Sequence, residues 1–240
     1  MVVRALVLAA LLVTTVACGS APASTPVSSP ASATPVPTPA AKRPAIHYGA
    51  LGDSITVGIG TSDPDTKNYA ALAGIPARGR PGSCLVIVKR CLWRTFVATF
   101  VPDIAVLRRY APVTTVIVEV GINDIITSGP DTVARMKRAY RAVRAEGREH
   151  GVTVVLTTLV PFGRTHSGRL SSAVTPARER RRAVINRWIR HHGPYLEFAH
   201  ALAPGAILPP RYDAGDGVHP NDAGQAVLAR VVEAYMKRKP

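Results

Sequence analysis

Aromatic residues make up only 5% of the 240-residue sequence, cysteines number three, and 15 acidic residues face 30 Lys and Arg. Each shortage excludes something. Sparse aromatics that never interleave with basic residues argue against the stacking surfaces of a nucleic-acid binder. Three cysteines cannot frame a small disulfide-stapled scaffold. The apolar run Ala5 to Val16 is about a dozen residues, too short for the ~20 that a bilayer span needs. The shortage of acid leaves a formal net charge of +15. Most of the basic residues are Arg, dispersed through helical stretches such as Arg135–Arg148 and Arg178–Arg190. That dispersal reads as a solvated Arg-rich surface, with an anionic partner as the alternative. What the chain does have is a 47% hydrophobic fraction, which excludes a disordered chain and suffices for a real core.

The N-terminal segment reads as an address. Met1-Val2-Val3-Arg4 supplies a positive charge, an apolar run follows, and Thr15-Val16-Ala17-Cys18-Gly19-Ser20 ends it. Charge, short apolar stretch and small residues are the pattern of a secretory signal. The ending resembles a bacterial lipobox, with Cys18 as the lipidated residue. Thr15 stands where Leu is usual, so plain cleavage after Ala21 or Ala23 is the alternative. Residues 1–18 are therefore expected to be a signal peptide and residues 19–44, nearly all Ala, Ser, Thr and Pro, an extended tether. This predicts an extracytoplasmic protein, secreted or held at the membrane by its lipid. In that compartment Cys84 and Cys91, with six residues between them, are expected to form a local disulfide. A thiol nucleophile or metal site there is less well supported, for no partner with ligand spacing lies nearby.

Residues 45–240 alternate β-branched apolar runs with amphipathic stretches. Ile46–Leu51, Val113–Val120 and Val152–Val160 read as buried parallel strands, and Tyr195–Ala199 as a weaker one. Thr95–Tyr110, Asp131–His150, Pro176–His192 and Asn221–Lys237 read as helices. The alternation predicts an α/β three-layer sandwich on a mostly parallel five-stranded sheet. Chemistry in such sheets lies at the C-terminal strand ends. There the sequence places Gly52-Asp53-Ser54, Gly121-Ile122-Asn123-Asp124 and, before the last helix, Asp216-Gly217-Val218-His219-Pro220.

These residues carry a resemblance. Gly52-Asp53-Ser54-Ile55, Gly82 in Arg80-Pro81-Gly82-Ser83, Gly121-x-Asn123-Asp124 and Asp216-x-x-His219-Pro220 are similar, in order and spacing, to the four blocks of the SGNH (GDSL-type) hydrolases. Thr157–Phe162 and Asn186 are supporting matches. The resemblance implies a flavodoxin-like sandwich, no metal or other cofactor, and ester hydrolysis through an acyl-serine.

The residue types suit those roles. Ser54 as nucleophile needs an adjacent base; as a bare serine before a helix it would otherwise be an N-cap. His219 titrates in the right range to take and return a proton. Asp216, three residues earlier, can hold the imidazole's tautomer, with Asp213 a nearby decoy and Gly217 allowing a tight turn. Pro220 suits the first position of the last helix. The Ser54 and Gly82 N–H groups and the Asn123 amide are the expected oxyanion donors, Gly79 being the alternative to Gly82. Asp53 and Asp124 are expected to be structural, and His166, His191, His192 and His200 to be surface or packing residues. The partner predicted is an ester of a lipid, acylated sugar or small molecule, and a monomer is expected. Two other functions fit the same blocks: an acyltransferase acting on envelope glycans, and an inactive binding lipoprotein.

Overall fold

The structure, a computed structural model, describes residues 48–75, 86–87, 113–127, 129–169, 171–205 and 207–238. Cys18, Gly79, Gly82, Cys84, Cys91, the signal and tether segments and the expected helix Thr95–Tyr110 lie outside the described residues.

The expected sandwich is present. Strands β1 (Tyr48–Gly52), β2 (Val86–Ile87), β3 (Thr115–Glu119), β4 (Thr153–Thr157) and β5 (Tyr195–Leu196) form one sheet in the order β2-β1-β3-β4-β5. Every pairing is parallel. All five residues of both β1 and β3 are buried, which is why these strands read as continuous apolar runs rather than alternating ones. The helices are α1 (Ser54–Val57), α2 (Tyr69–Leu72), α3 (Ile122–Thr127), α4 (Thr132–Glu149), α5 (Pro176–His191), α6 (Phe198–Leu202) and α7 (Asp222–Lys237). Helices α2, α6 and α7 pack on one another, as do α3, α4 and α5. These are the two outer layers that cover a parallel sheet on both faces.

Three boundaries differ from expectation, and one strand went unlocated, for physical reasons. The run Val152–Val160 leaves the sheet after Thr157 because the side chain of Asn186, on α5, takes the place of a neighbouring strand. Its Oδ1 accepts from the Leu159 N–H at 2.7 Å and its Nδ2 donates to the Leu159 carbonyl at 2.9 Å. The expected strand Tyr195–Ala199 stops at Leu196, where Glu197 caps α6 by accepting from the His200 N–H. β2, only two residues long, gives no periodicity to read. The last helix begins at Asp222 and not at Pro220, since Asn221 is its N-cap, accepting from the Gly224 N–H at 3.0 Å.

The order β2-β1-β3 means that the chain leaves β1 in one direction and returns past it to β3. Ligand crevices in open α/β sheets form at this reversal, beyond the strand ends. β1 and β3 run in register, with Gly52 opposite Glu119. The turns carrying Ser54 and Asn123 therefore emerge side by side.

Candidate active site

β1 ends at Gly52 because a side chain there would collide with Thr56 Oγ1 and the Glu119 carbonyl. The chain then turns directly into α1. Asp53, not Ser54, caps this helix: its Oδ1 accepts from the Ile55 N–H at 3.2 Å. Freed from capping, the Ser54 hydroxyl lies 2.8 Å from His219 Nε2.

On the other side of the ring, His219 Nδ1 meets Asp216 Oδ2 at 2.5 Å. Asp216 Oδ1 accepts from the N–H groups of Val218 and His219 at 2.8 and 2.9 Å. Partial burial works to raise the Asp216 pKa, but the hydrogen bonds from the His219 ring and these N–H groups prevail and hold it at about 2. The carboxylate is thus ionised and fixes the imidazole with Nδ1–H toward it and Nε2 free to accept from Ser54. Ser54, His219 and Asp216 form one continuous hydrogen-bonded chain across 165 residues of sequence.

The loop that presents Asp216 is built by its neighbours. Asp213 Oδ1 accepts from the Gly215 and Gly217 N–H groups at 2.7 and 3.0 Å, so the decoy of the sequence organises the turn. Gly217 has φ +75°, and a Cβ there would sit 2.6 Å from Ser171 Cβ; no other residue fits without strain. A short ribbon straps this loop to the segment after β4. Thr165 and Asp216 form an antiparallel bridge, the His166 N–H donates to the Gly215 carbonyl at 2.7 Å, and the Gly163 N–H donates to the Gly217 carbonyl at 2.8 Å. The His166 ring lies against Gly215, so this histidine touches the catalytic loop, although nothing in its local sequence says so. His192 is a packing residue, its ring stacked on Trp188 at 4.2 Å. Asn123 is the second residue of α3, immediately beyond β3, and Asp124 is buried behind it.

Two buried residues escaped the sequence reading. Gln225, on α7, is fully buried; its Oε1 accepts from the Tyr69 N–H at 2.9 Å and its Nε2 donates to the Ile55 carbonyl at 2.8 Å. It fastens the helix that follows His219 to the turn that holds Ser54. Its signal was a polar residue on the apolar stripe it shares with Leu228 and Val232. Glu119, at the end of β3, is also fully buried; its signal was a lone charge in the run Thr115-Val116-Ile117-Val118-Glu119-Val120. Among the described residues, no group of three or more His, Cys, Asp and Glu could hold a metal ion.

A family model for GDSL-like lipases and acylhydrolases matches residues 50–227. No curated protein matches the chain. Among solved structures, a GDSL-like lipase from Bacteroides thetaiotaomicron is 16% identical with a TM-score of 0.60, covering 81% of this chain and 89% of its own. A psychrotrophic esterase from a Pseudoalteromonas species, inhibited by monoethylphosphonate, is 15% identical with a TM-score of 0.55, covering 80% and 97%. A member of the lipolytic G-D-S-L family from Veillonella parvula is 15% identical with a TM-score of 0.54, covering 81% and 100%. At such identities the likeness speaks to the fold, whereas the family match spans most of the chain and contains Ser54, Asn123, Asp216 and His219. The chain belongs to the GDSL-like lipase/acylhydrolase family and is an SGNH-type hydrolase of ester substrates.

Proposed function

We propose that the protein is a serine esterase that cleaves carboxylic esters through an acyl-serine at Ser54, and that it works outside the cytoplasm. The observation that carries the reading is the hydrogen-bonded chain from Ser54 Oγ through His219 to Asp216, at 2.8 and 2.5 Å.

Ser54 Oγ attacks the ester carbonyl carbon as its proton passes to His219 Nε2. Asp216 stabilises the imidazolium without taking its proton. The carbonyl oxygen, now negative, is received by the Ser54 N–H, the Asn123 side-chain amide and the Gly82 N–H, donors that act most strongly on the charge of the tetrahedral intermediate. The bond to the leaving oxygen breaks as His219 returns the proton to the departing alcohol. Water then repeats the sequence: His219 takes its proton, the hydroxyl adds to the acyl carbon, and Ser54 leaves with the proton restored. The free carboxylic acid is released.

Secretion rests on the basic start, short apolar run and small residues of the first 18 positions, with Cys18 as lipid anchor. A Cys84–Cys91 disulfide beside Gly82 would steady that donor. The test is hydrolysis of a short p-nitrophenyl ester by the purified full chain. Ser54→Ala and His219→Ala are each expected to lower kcat at least ~10³-fold with a native circular dichroism spectrum. Retention of a tenth of the wild-type rate by either variant overturns the reading.

A further inference from the structure

Directly behind the nucleophile lies a pair of carboxyl groups that the proposed reaction does not use. Asp53 is 1% exposed and Glu119 0%. Their backbones are tied, the Asp53 N–H donating to the Glu119 carbonyl at 3.1 Å. Each side chain has one oxygen supplied with a donor: Asp53 Oδ1 by the Ile55 N–H at 3.2 Å, and Glu119 Oε2 by Thr56 Oγ1 at 3.1 Å. Each has one oxygen, Asp53 Oδ2 and Glu119 Oε1, buried with no hydrogen-bond partner. The two carboxyls share that interior closely enough for the charge of Asp53 to act on Glu119. Two bare anions side by side in a dry interior would repel strongly, whereas one proton between them removes the repulsion and gives both lone oxygens a partner.

We propose that Glu119 is a positioning residue whose carboxylic acid donates to Asp53, and that this one proton locks the Ser54 turn to the Asn123 turn. The proton resides on Glu119 because its burial, and then the charge of Asp53, push its pKa well above the ordinary carboxylate range. Burial raises Asp53 as well, to about 6, but the Ile55 N–H and the nearby His219 favour its anion. The rest of the network agrees in direction. Thr56 Oγ1 spends its proton on Glu119, so the Tyr69 hydroxyl, 3.0 Å away, must donate to Thr56. A relay of donors thus runs from Tyr69 through Thr56 and Glu119 to Asp53. Asp53 immediately precedes Ser54, and Glu119 lies four residues before Asn123. The shared proton therefore spans the seam between β1 and β3 at the point where nucleophile and oxyanion donor diverge. A shift of about 1 Å between such groups can cost ~10²-fold in rate.

The inference rests on the serine esterase reading for its kinetic part and is independent of it for the proton itself. Glu119→Gln keeps the shape and offers a permanent N–H to Asp53 and an oxygen to Thr56; Glu119→Ala removes both. With the full chain, Glu119→Gln is expected to keep kcat within about threefold of wild type. Glu119→Ala is expected to lower kcat by roughly 10- to 100-fold with KM little changed. Infrared spectra at neutral pH are expected to show a buried carboxylic-acid C=O band in the wild type that disappears in Glu119→Gln. Wild-type activity in Glu119→Ala overturns the proposal. So does a Glu119→Gln enzyme that is natively folded yet as slow as Glu119→Ala, and so does absence of the band. If Glu119→Ala does not fold, the Gln variant and the band still decide. Ser54→Ala run alongside separates the readings: activity retained there sinks the serine mechanism, while the infrared band continues to test the shared proton.

Discussion

A serine hydroxyl at neutral pH is a poor nucleophile, and what distinguishes Ser54 from other serines in this chain is its surroundings. Asp53 relieves it of capping, and His219 stands within hydrogen-bonding distance. The meeting of these residues was legible because the proposed chemistry demands particular residue types in a particular order. As the proposed oxyanion donor just beyond β3, Asn123 carries a further prediction: Asn123→Ala is expected to lower kcat ~10²–10³-fold while leaving KM nearly unchanged, since such a donor acts chiefly in the transition state. A change confined to KM, in steady-state kinetics on a p-nitrophenyl ester, would move Asn123 into substrate binding. Asp216 makes a prediction about acid. Its folded pKa of about 2 lies below the ~3.9 of an unfolded Asp, so the stability it contributes is complete above about pH 4. That contribution drains away as pH falls toward 2. The melting temperature of Asp216→Asn should therefore trail wild type at pH 6, trail by about half as much near pH 3, and converge with it only below about pH 2. A gap that stays constant across that range would show that the depressed pKa contributes nothing to stability.

Elements were legible where they were long. Helices α4 and α5, of 18 and 16 residues, repeat their apolar positions often enough to announce themselves. α6, five residues long, cannot show a 3.6-residue period and was absorbed into the strand before it. The residues that join elements were the least visible, because a buried polar side chain breaks an apolar pattern without saying what it meets. Asn186 substitutes for a strand and Gln225 for a turn of backbone, and neither partner lies nearby in sequence. Gln225→Leu keeps the volume but leaves the Tyr69 N–H without a partner and the Ile55 carbonyl with only the Gly58 N–H. One orphaned buried N–H should cost about 1–3 kcal/mol of stability. A urea midpoint unchanged from wild type would show that other groups take over those bonds.

At the scale of the molecule, the five-stranded sheet was foreseen because alternation of strand and helix leaves few other arrangements. The side-by-side placement of Ser54 and Asn123 follows from the reversal between β1 and β3. What no local pattern could supply is the timing of assembly. The hydrogen bond between Ser54 and His219 joins residues 165 positions apart, and the loop of Asp216 takes its shape partly from Gly163 and Thr165. Contacts so distant along the chain form only after the intervening sheet has closed, because the entropy of loop closure must be overcome first. Catalytic competence is then a late event in folding, a report that the whole sandwich has assembled. On dilution from urea, helical circular dichroism should recover ahead of esterase activity. An enzyme that regained both together would show that the loop and sheet assemble as a single cooperative unit. Otherwise a nascent or partly folded chain carries every residue of the triad and cannot yet cut an ester, a safeguard that arises from topology alone.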